Sequence, residues 1–375
     1  MGIDRRFVVG VVVGVVGVLI IGGAVWLLAG GDGSSKNAAA EGSPSAGASK
    51  GDDKGKNDGG EQATPGPPLS LPVPTGSGKV SCPSPTTTVK DADGLEKALG
   101  AAKPGDVIRL AAGTYTGKFV AQASGTSDKP IFLCGDATAI LDGGGVKKGY
   151  AFHLDKAGYW RLIGFSVQNS QKGVMADGSS GSIIQGLTVH DIGDEAIHLR
   201  GFSTGDTVQY NKIYNTGLRR AKFGEGVYLG SAESNWSNSS GGKPDKSDNN
   251  VVRGNVIRAT AEAIDIKEGT SGGRILDNVF DGSALGGDKF NDSWIDVKGN
   301  GYLIQGNSGK KTLKDGFQTH QIIKGGGTGN VFRGNTLDIS GADGVGINDT
   351  VGGNTIACDN KVIGGKLMAK GDCSG

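Results

Sequence analysis

The sequence has almost no surplus of either charge. Its 39 lysines and arginines are balanced by 38 aspartates and glutamates, which gives a formal net charge of +1. It therefore has no basic stripe for nucleic acid and no acidic tail. No glycine-rich loop precedes a helix, as it does in proteins that cradle phosphates. These absences argue against nucleic acid as a partner and against a phosphate-binding loop.

Charge is also absent from residues 7–29, and this absence predicts a membrane anchor. The run Phe7–Ala29 is long enough to span a bilayer and exceeds the about 7–15 residues of a signal-peptide core. Arg5 and Arg6 precede it, so residues 1–6 are expected to stay in the cytoplasm. A cleaved signal peptide is the alternative, and it too would deliver the rest of the chain outside the cell.

Residues 30–79 lack the apolar residues of a folded core. They are rich in Gly, Ser, Asp and Lys and end in the Pro-rich stretch "TPGPPLSLPVP". This composition is typical of a flexible, disordered stalk. Residues 80–375 form the body. We expect a single-pass protein of the cell membrane whose monomeric body is extracellular.

Cysteines are few, and no Cys-x-x-Cys pair is present, so a zinc site is a weak alternative for them. All four lie in the part expected outside the cell. An even number there suggests disulfides, although four cysteines allow three pairings. Their clustering near the two ends of the body favours Cys82–Cys134 and Cys358–Cys373.

Glycine, by contrast, is abundant, with 70 residues against a usual share of about 7%. It implies many tight turns, as all-β and solenoid folds require. One short amphipathic helix is predicted near the start of the body, where Leu95, Ala98 and Leu99 share a face. Short strands follow it, and no further helix is predicted.

A repeat runs through the body at irregular intervals. The copies begin at 172, 195, 225, 262, 293, 315 and 343 and read "KGVMAD", "EAIHLR", "EGVYLG", "EAIDIK", "SWIDVK", "DGFQTH" and "DGVGIN". Most are followed by a second short strand with an asparagine after it: Asn211, Asn255, Asn278, Asn307, Asn335 and Asn360. Side-chain amides one coil apart can bond to one another. We therefore predict a parallel β-helix, in which each coil buries its apolar residues by stacking on its neighbours.

The repeat, the asparagine column and the opening "ALGAAKPGDVIRLAAGTY" with "ASGTSDKPIFL" resemble the pectate-lyase-like right-handed parallel β-helix superfamily. The resemblance covers residues 82–375 almost entirely and implies an all-β fold. It leaves the chemistry open, because the superfamily includes lyases, hydrolases, epimerases and non-catalytic proteins.

Equivalent positions of a β-helix stack at about 4.8 Å per coil, so the copies can be read as columns. The leading column holds Glu195, Glu225, Glu262, Ser293, Asp315 and Asp343; the middle one His198, Tyr228, Asp265, Asp296 and Gln318; the last one Arg200, Gly230, Lys267, Lys298, His320 and Asn348. One face therefore presents stacked acids beside stacked bases. Surface ion pairs of little energy would explain a single coil, but their repetition in register indicates a site.

Two long insertions border the same coils. "SAESNWSNSSGGKPDKSDN" follows the copy at 225, and "DGSALGGDKFND" precedes the copy at 293. Loops on a rigid scaffold commonly form the walls of a cleft. Trp236, in the first insertion, is a candidate to stack on a sugar ring or to cap an exposed strand edge.

The acids and bases of this face indicate a site that cleaves an acidic, uronate-containing polysaccharide by β-elimination. Glu225 and Glu262, in adjacent coils, are candidate Ca²⁺ ligands, and the metal would neutralise a uronate carboxylate. Lys267 is the candidate base, and the like charge of Lys298 is expected to lower its pKa.

The sequence from Glu262 to Lys267 also resembles the motif of the alginate lyase and chondroitinase B family of polysaccharide lyases. This resemblance implies Glu262 as a metal ligand and Lys267 as the Brønsted base. Glu268 stands where that family has a serine, and Lys298 is the nearest substitute for its catalytic arginine.

The remaining polar residues of the face complete the hypothesis. Lys298 or His320 would protonate or steady the leaving oxygen, and Arg200 would grip a neighbouring carboxylate. The other substrate-binding candidates are His198, Tyr228, Asp265, Asp296 and Trp236. One alternative is a glycoside hydrolase that uses Asp265 and Asp296, although polygalacturonase-type motifs are absent. Another is a non-catalytic glycan-binding protein of the cell surface.

The anchor gives the first testable prediction. Because the run Phe7–Ala29 is too long for a signal-peptide core, we expect it to be retained. Full-length protein should fractionate with membranes, and protease acting in the stalk should release the body. Recovery of mature protein that begins between residues 30 and 40 would contradict this prediction.

Overall fold

The structure, a computed structural model, describes residues 64–286 and 289–375. These ranges contain 30 short strands and little helix. No helix within them is both long and apolar enough to cross a membrane. The expected anchor, residues 7–29, and the first part of the expected stalk lie outside the described residues.

The strands form three parallel sheets, and the chain visits the sheets in turn. Sheet 1 contains β1 (Thr87–Val89), β2 (Val107–Leu110), β5 (Ile131–Cys134), β8 (Trp160–Ile163), β11 (Ile183–Gln185), β14 (Thr207–Gln209), β17 (Val251–Arg253), β20 (Arg274–Leu276), β23 (Leu303–Gln305), β26 (Val331–Arg333) and β29 (Thr355–Ile356). Sheet 2 contains β3 (Gly113–Thr116), β6 (Ala139–Asp142), β9 (Ser166–Ser170), β12 (Thr188–Ile192), β15 (Lys212–Tyr214), β18 (Val256–Arg258), β21 (Val279–Asp281), β24 (Ser308–Lys310), β27 (Thr336–Asp338) and β30 (Lys361–Ile363). Sheet 3 contains β4 (Phe119–Ala121), β7 (Tyr150–Asp155), β10 (Lys172–Asp177), β13 (Ile197–Arg200), β16 (Val227–Leu229), β19 (Ile264–Ile266), β22 (Ile295–Val297), β25 (Phe317–Thr319) and β28 (Ile347–Asp349). One strand from each sheet makes a coil, so the predicted parallel β-helix is confirmed.

The helices are short and lie outside the sheets. The predicted amphipathic helix is α1 (Ala92–Gly100), which buries Leu95 and Leu99 against the first coils; Asp91 caps it by accepting a 2.8 Å hydrogen bond from the amide of Gly94. A second helix, α2 (Trp236–Ser239), lies in the first long insertion. Three 3₁₀ turns complete the described helical segments: Ala221–Phe223, Glu233–Asn235 and Gly282–Ala284.

The interior is built from columns of apolar residues that stack in register. In sheet 3, for example, Val227, Ile264, Ile295, Phe317 and Ile347 pair in succession and are all fully buried. A strand of three residues cannot bury a core alone, so each coil depends on its neighbours for its hydrophobic contacts.

An asparagine ladder runs along the turn between sheets 1 and 2, as the sequence predicts. Each Nδ2 donates to the Oδ1 of the next member, at 2.9 Å for Asn211–Asn255, Asn255–Asn278 and Asn278–Asn307. The bonds continue at 3.1 Å to Asn335 and 2.7 Å to Asn360. Each Oδ1 also accepts a backbone amide of the preceding coil. The ladder therefore satisfies buried backbone groups as well as its own amides.

The residue before each ladder asparagine from Asn211 to Asn335 turns the chain sharply. Gly254, Gly306 and Gly334 have φ between +61° and +69°, a conformation that glycine adopts without strain. Asp277 and Tyr210 take the same left-handed conformation with φ of 54° and 55°. The "GN" pairs in the sequence mark these turns.

Residues 64–80 lie against the body, which therefore begins before the expected boundary at residue 80. Leu69 packs on Tyr214 and Val256. Further along, the amide of Val80 donates to Gln185 Oε1 at 2.7 Å, and Gln185 Nε2 donates back to the carbonyl of Val80 at 2.8 Å. Residues 64–80 thus form a Pro-rich strap on the surface of the body. Its apolar side chains and backbone carbonyls make contacts with the coils that its composition alone does not indicate.

Two disulfides fasten the ends of the body, in the pairing that the sequence favours. Cys82 joins Cys134 on β5, and Cys358 joins Cys373 near the end of the chain. None of the four described cysteines is free.

The ladder generates a prediction on stability. Asn278→Ala removes the acceptor of two buried donors, the amide and Nδ2 of Asn255. We expect the free energy of unfolding to fall by roughly 3 kcal/mol, as measured by urea denaturation. Asn238→Ala, at an exposed residue of α2 outside the ladder, is the control and should leave the free energy of unfolding unchanged. A loss at Asn278 no larger than the loss at Asn238 would show that the ladder does not act as proposed.

Candidate active site

The middle column of sheet 3 is formed as the sequence predicts. His198, Tyr228, Asp265, Asp296 and Gln318 are paired in succession, one coil apart. All five side chains belong to buried residues, so the face is more enclosed than a solvated sheet surface.

The register predicted for the seventh copy of the repeat, which begins at residue 343, is wrong. Asn348 pairs with Gln318 and therefore extends the middle column rather than the last one. Ile347 pairs with Phe317, so Val345 rather than Asp343 precedes it at the leading position. The segment "DGVGIN" alternates Val345 and Ile347, and this alternation is compatible with either register.

The last column brings Lys267, Lys298 and His320 together on consecutive coils. Their backbone amides donate to the carbonyls of the preceding coil at 2.9, 2.8 and 3.0 Å, respectively. These bonds hold the three residues at the ends of β19, β22 and β25, where the strands of sheet 3 lead into the turn to sheet 1.

The two lysines and two aspartates form a continuous chain of ion pairs. Lys267 Nζ lies 2.6 Å from Asp265 Oδ2, and Lys298 Nζ lies 2.9 Å from Asp265 Oδ1 while also contacting Asp296. His320 Nε2 is 3.6 Å from Asp296 Oδ1. The lysine side chains are only 14% and 11% exposed. Buried ion pairs carry a large desolvation cost, so the interpretation as ordinary surface pairs does not hold.

The pKa of Lys267 is raised overall, so the expectation that the like charge of Lys298 would bring this pKa down is wrong in its net result. Burial lowers the pKa of Lys267, but the carboxylates of Asp265, Glu268 and Glu225 outweigh this effect. The pKa of Lys298 is raised in the same way: burial lowers it, and the charges of Asp265 and Asp296 more than compensate. Each ammonium group contacts a carboxylate directly, at 2.6 Å for Lys267 and 2.9 Å for Lys298. Both are ammonium ions in the resting site.

Tyr228 lies between these ions and His198. Lys267 Nζ is 4.9 Å from the centre of the Tyr228 ring, and the His198 ring is 4.4 Å from it on the neighbouring coil. Burial and the charge of Asp265 raise the pKa of Tyr228 well above its ordinary value. Burial lowers the pKa of His198, which therefore stays neutral, and its Nε2 lies 2.8 Å from the carbonyl of Gly230. The resting site thus contains a neutral phenol in contact with an ammonium ion.

Three buried acids lie beside this pair. Glu225, Glu262 and Asp265 each offer a carboxylate oxygen within 4.8 Å of the others. Asn291, from the second insertion, donates to Glu262 Oε2 at 3.0 Å. Glu225 Oε2 is buried without a hydrogen-bond partner among the described residues. The predicted ligands Glu225 and Glu262 are therefore together, and Asp265 is a third.

The acids of this cluster outnumber its bases. If Glu225, Glu262, Asp265 and Asp296 were all ionised, they would carry two more negative charges than the two ammonium ions can balance. Burial raises the pKa of Glu225, and the nearby carboxylates of Glu195, Asp265 and Glu262 add to it. Burial, with the charges of Asp265 and Asp296, raises the pKa of Glu262 to about 8. Either two protons or one divalent cation would restore neutrality, and the oxygen donors suit Ca²⁺.

Arg200 is not free to grip a substrate carboxylate as expected. Its Nε donates to Asp177 Oδ1 at 2.6 Å, and Asp177 Oδ2 lies 2.8 Å from His153 Nε2. Sequence reasoning missed Asp177 and His153. Asp177 is the last residue of the copy at 172, so the register that places Lys267 beside Lys298 also predicts Asp177 beside Arg200. No periodic signal marks Asn291, because it lies in an insertion.

Trp236 does not offer a face for a sugar ring. The residue is 8% exposed, and its Nε1 donates to the carbonyl of Ser231 at 2.9 Å. The indole packs close to the backbone of Gly269, beneath the insertion. It anchors the loop, so the expectation of sugar stacking at Trp236 is wrong.

Asp265 and Asp296 are poorly arranged for the hydrolytic alternative. Both carboxylates contact the same ammonium group, that of Lys298. A retaining glycosidase needs the substrate between its two carboxyl groups. Here Lys298 occupies that position.

Comparisons with known proteins show the family to which the chain belongs. A model described as a right handed beta helix region matches residues 147–300. An alginate lyase from Paenibacillus sp. str. FPU-7 is 36% identical, over 77% of this chain and 100% of that chain, with a TM-score of 0.72. The chain belongs to the pectate-lyase-like right-handed parallel β-helix superfamily. No curated protein matches this member of the superfamily.

More distant structures share only the fold with this chain. Pectate lyase Pel9A is 15% identical, over 74% of this chain and 78% of that chain, with a TM-score of 0.53. PfbA, a surface adhesin of Streptococcus pneumoniae, is also 15% identical, over 72% of this chain and 73% of that chain, with a TM-score of 0.50. An enzyme and an adhesin with this fold show that the coils do not determine function.

The charge imbalance predicts how stability depends on pH. In the presence of chelator, the folded protein holds the proton of Glu262 more tightly than the unfolded chain does, because the pKa of Glu262 is raised to about 8 on folding. Its contribution to stability is therefore complete below the pKa of the unfolded chain and is lost as the pH rises through about 8. Glu262→Gln resembles the protonated acid, so its melting temperature should rise relative to wild type between about pH 5 and 8. Glu96→Gln, on the surface of α1, is the control for loss of a negative charge. A difference between Glu262→Gln and wild type that does not change with pH would contradict this prediction.

Proposed function

We propose that this protein cleaves an acidic polysaccharide by β-elimination, with alginate as the first substrate to test. The observation that carries this proposal is the contact of the Lys267 ammonium ion with the Tyr228 phenol inside a buried acid–base cluster. The 36% identity to an alginate lyase over the whole of that chain supports it.

Elimination requires removal of the proton next to the carboxylate and protonation of the leaving oxygen. We assign the first role to Lys267 and the second to Tyr228. Lys298 is less suited to donate a proton because it already contacts Asp265 and Asp296. Tyr228 is a neutral phenol that still carries its proton, so we assign protonation of the leaving oxygen to Tyr228 rather than to Lys298 or His320. His320, one coil further, would contact the sugar on that side.

Lys267 acts as a base only after it loses its own proton. Its nearest carboxylate is Asp265, 2.6 Å away. Burial raises the pKa of Asp265, but the charges of Lys267 and Lys298 outweigh burial and lower it, so the proton would pass to solvent instead. Glu225, Glu262 and Asp265 would hold Ca²⁺, and its charge would neutralise the uronate carboxylate and favour the amine form of Lys267. The unpartnered, buried Oε2 of Glu225 supports this assignment.

We further propose that the protein acts outside the cell, tethered by residues 7–29. The support is the long uncharged run and the two disulfides, which persist in oxidising compartments.

The catalytic assignment predicts that Lys267→Arg and Tyr228→Phe are inactive but folded. Arginine keeps the ion pair with Asp265 and the contact with the ring, but it cannot serve as a base. Phenylalanine keeps the ring and loses the proton. Each change should lower kcat by about 10²–10⁴-fold, measured as ultraviolet absorbance of the unsaturated uronate product. Lys310→Ala, an exposed lysine on sheet 2, is the control and should retain full activity.

The assay is to be run on alginate, pectate and glycosaminoglycans, with Ca²⁺ and with chelator. Full activity of Lys267→Arg would show that Lys267 only holds charge. New reducing ends without absorbance would indicate hydrolysis. Binding without cleavage of any substrate would favour the non-catalytic alternative.

In a melting assay, Ca²⁺ should stabilise wild type and have less effect on Glu262→Gln, whose side chain is a weaker ligand.

A further inference from the structure

A cleft of about 260 Å³ lies on sheet 3, next to the candidate active site. Asp155, Asp177 and Arg200, at the ends of β7, β10 and β13, contribute its floor. Asn238 and Ser239, from α2 in the first insertion, contribute the opposite wall. β13 pairs with β16, the strand of Tyr228, so the cleft continues the same face towards the N-terminal coils.

The floor of the cleft is polar and fixed. Asp177 holds both Arg200 and His153, as described above, and Arg200 Nη2 also donates to the hydroxyl of Tyr150 at 3.3 Å. Gln122 Nε2 donates to Asp155 Oδ2 at 2.9 Å. Side chains held in this way are suited to a ligand rich in hydroxyl groups, because little conformational freedom is lost when it binds.

A buried carboxylate fixes the wall relative to the floor. Asp245 is fully buried in the first insertion and accepts the backbone amides of Gly201 and Phe202, each at 2.9 Å. It also accepts the hydroxyl of Ser231 at 2.7 Å. A Cβ on Gly201 would lie 3.1 Å from the carbonyl oxygen of Ser239, so the loop sits directly against the turn after β13.

Phe202 is both strained and exposed at this turn. Its φ is +71°, an unusual value for a bulky residue, and 43% of its surface is accessible. Strained backbone and exposed aromatic rings both carry a cost, and residues of this kind are concentrated at functional sites. Phe202 directly follows Gly201, which lines the cleft.

We propose that this cleft, together with the exposed Phe202 that follows its lining residue Gly201, is a subsite for a further sugar residue of the polysaccharide. The inference rests on the proposed function, since it needs a substrate that runs along sheet 3. Successive coils are about 4.8 Å apart, close to the length of one pyranose unit, so a chain bound at Tyr228 would reach the cleft with its next residues. The sugar hydroxyls bond to the floor, and its C–H face packs on Phe202.

Activity should therefore depend on substrate length, and Asn238→Trp tests this dependence. The substitution fills the cleft from an exposed position on α2, whereas Ser237→Trp adds the same bulk at an exposed residue that does not line it. On oligouronates of increasing length, Asn238→Trp should lose about tenfold in kcat/KM for long substrates. Both variants should match wild type on the shortest substrate that is cleaved. Equal length dependence in the two variants would overturn the proposal.

Phe202→Gly tests the aromatic edge separately. Glycine accepts the positive φ, so the melting temperature should stay the same or rise while kcat/KM falls for long substrates only. An unchanged length dependence would overturn the role of Phe202.

Failure of the subsite can be distinguished from failure of the proposed function. If no substrate is cleaved, calorimetric binding of the same oligouronates is compared among wild type, Asn238→Trp and Ser237→Trp. Length-dependent binding that Asn238→Trp alone loses would support the subsite even when the lyase assignment fails. Cleavage that is indifferent to length would retain the lyase and reject the subsite.

Discussion

The asparagine ladder is the interaction on which the other features depend. From Asn211 to Asn360, each amide donates to one neighbour and accepts from the other. A slip of one residue in any coil would leave buried donors unpaired, and a buried unpaired donor is costly. The ladder therefore fixes the register of the coils. That register in turn determines which side chains of sheet 3 become neighbours.

The charged cluster is a direct consequence of this register. Asp265 and Asp296 would repel each other at one-coil spacing, but Lys298 lies between them. Burial makes the arrangement expensive, and an ordinary surface would be cheaper to build from neutral residues. The hydrophobic columns and the ladder stabilise the coils enough to offset the free energy of burying these charges. The backbone, in turn, fixes the positions of the ions in the site.

The sequence predicts those features that repeat once per coil. The ladder, the middle column and the neighbours Lys267 and Lys298 follow from the spacing of the copies, because stacking converts sequence register into contact. Features that do not repeat were missed or assigned wrongly. Trp236 and Asn291 lie in insertions, where burial depends on tertiary packing that no period records. The pKa of Lys267 depends on distances between side-chain atoms, and a column of letters does not contain them.

Comparison and geometry make different contributions to the functional argument. The similarity to an alginate lyase is high enough to place the chain in its superfamily. The proposed reaction rests instead on the Lys267–Tyr228 contact and on the cluster of buried acids. Neither would suffice alone, since an adhesin shares the fold and buried ion pairs also occur in purely structural roles.

The strap formed by residues 64–80 has a mechanical consequence. Its contacts follow the chain in order, from the carbonyl of Gly66 on Asn215 to that of Ser77 on Tyr210 and the paired bonds of Val80. A force applied at residue 64 would break them one after another, as in a zipper, rather than shear them together. Peeling would stop at Cys82, where the disulfide to Cys134 transfers the load to β5. The strap is therefore a tether whose extension is limited by the disulfide at Cys82.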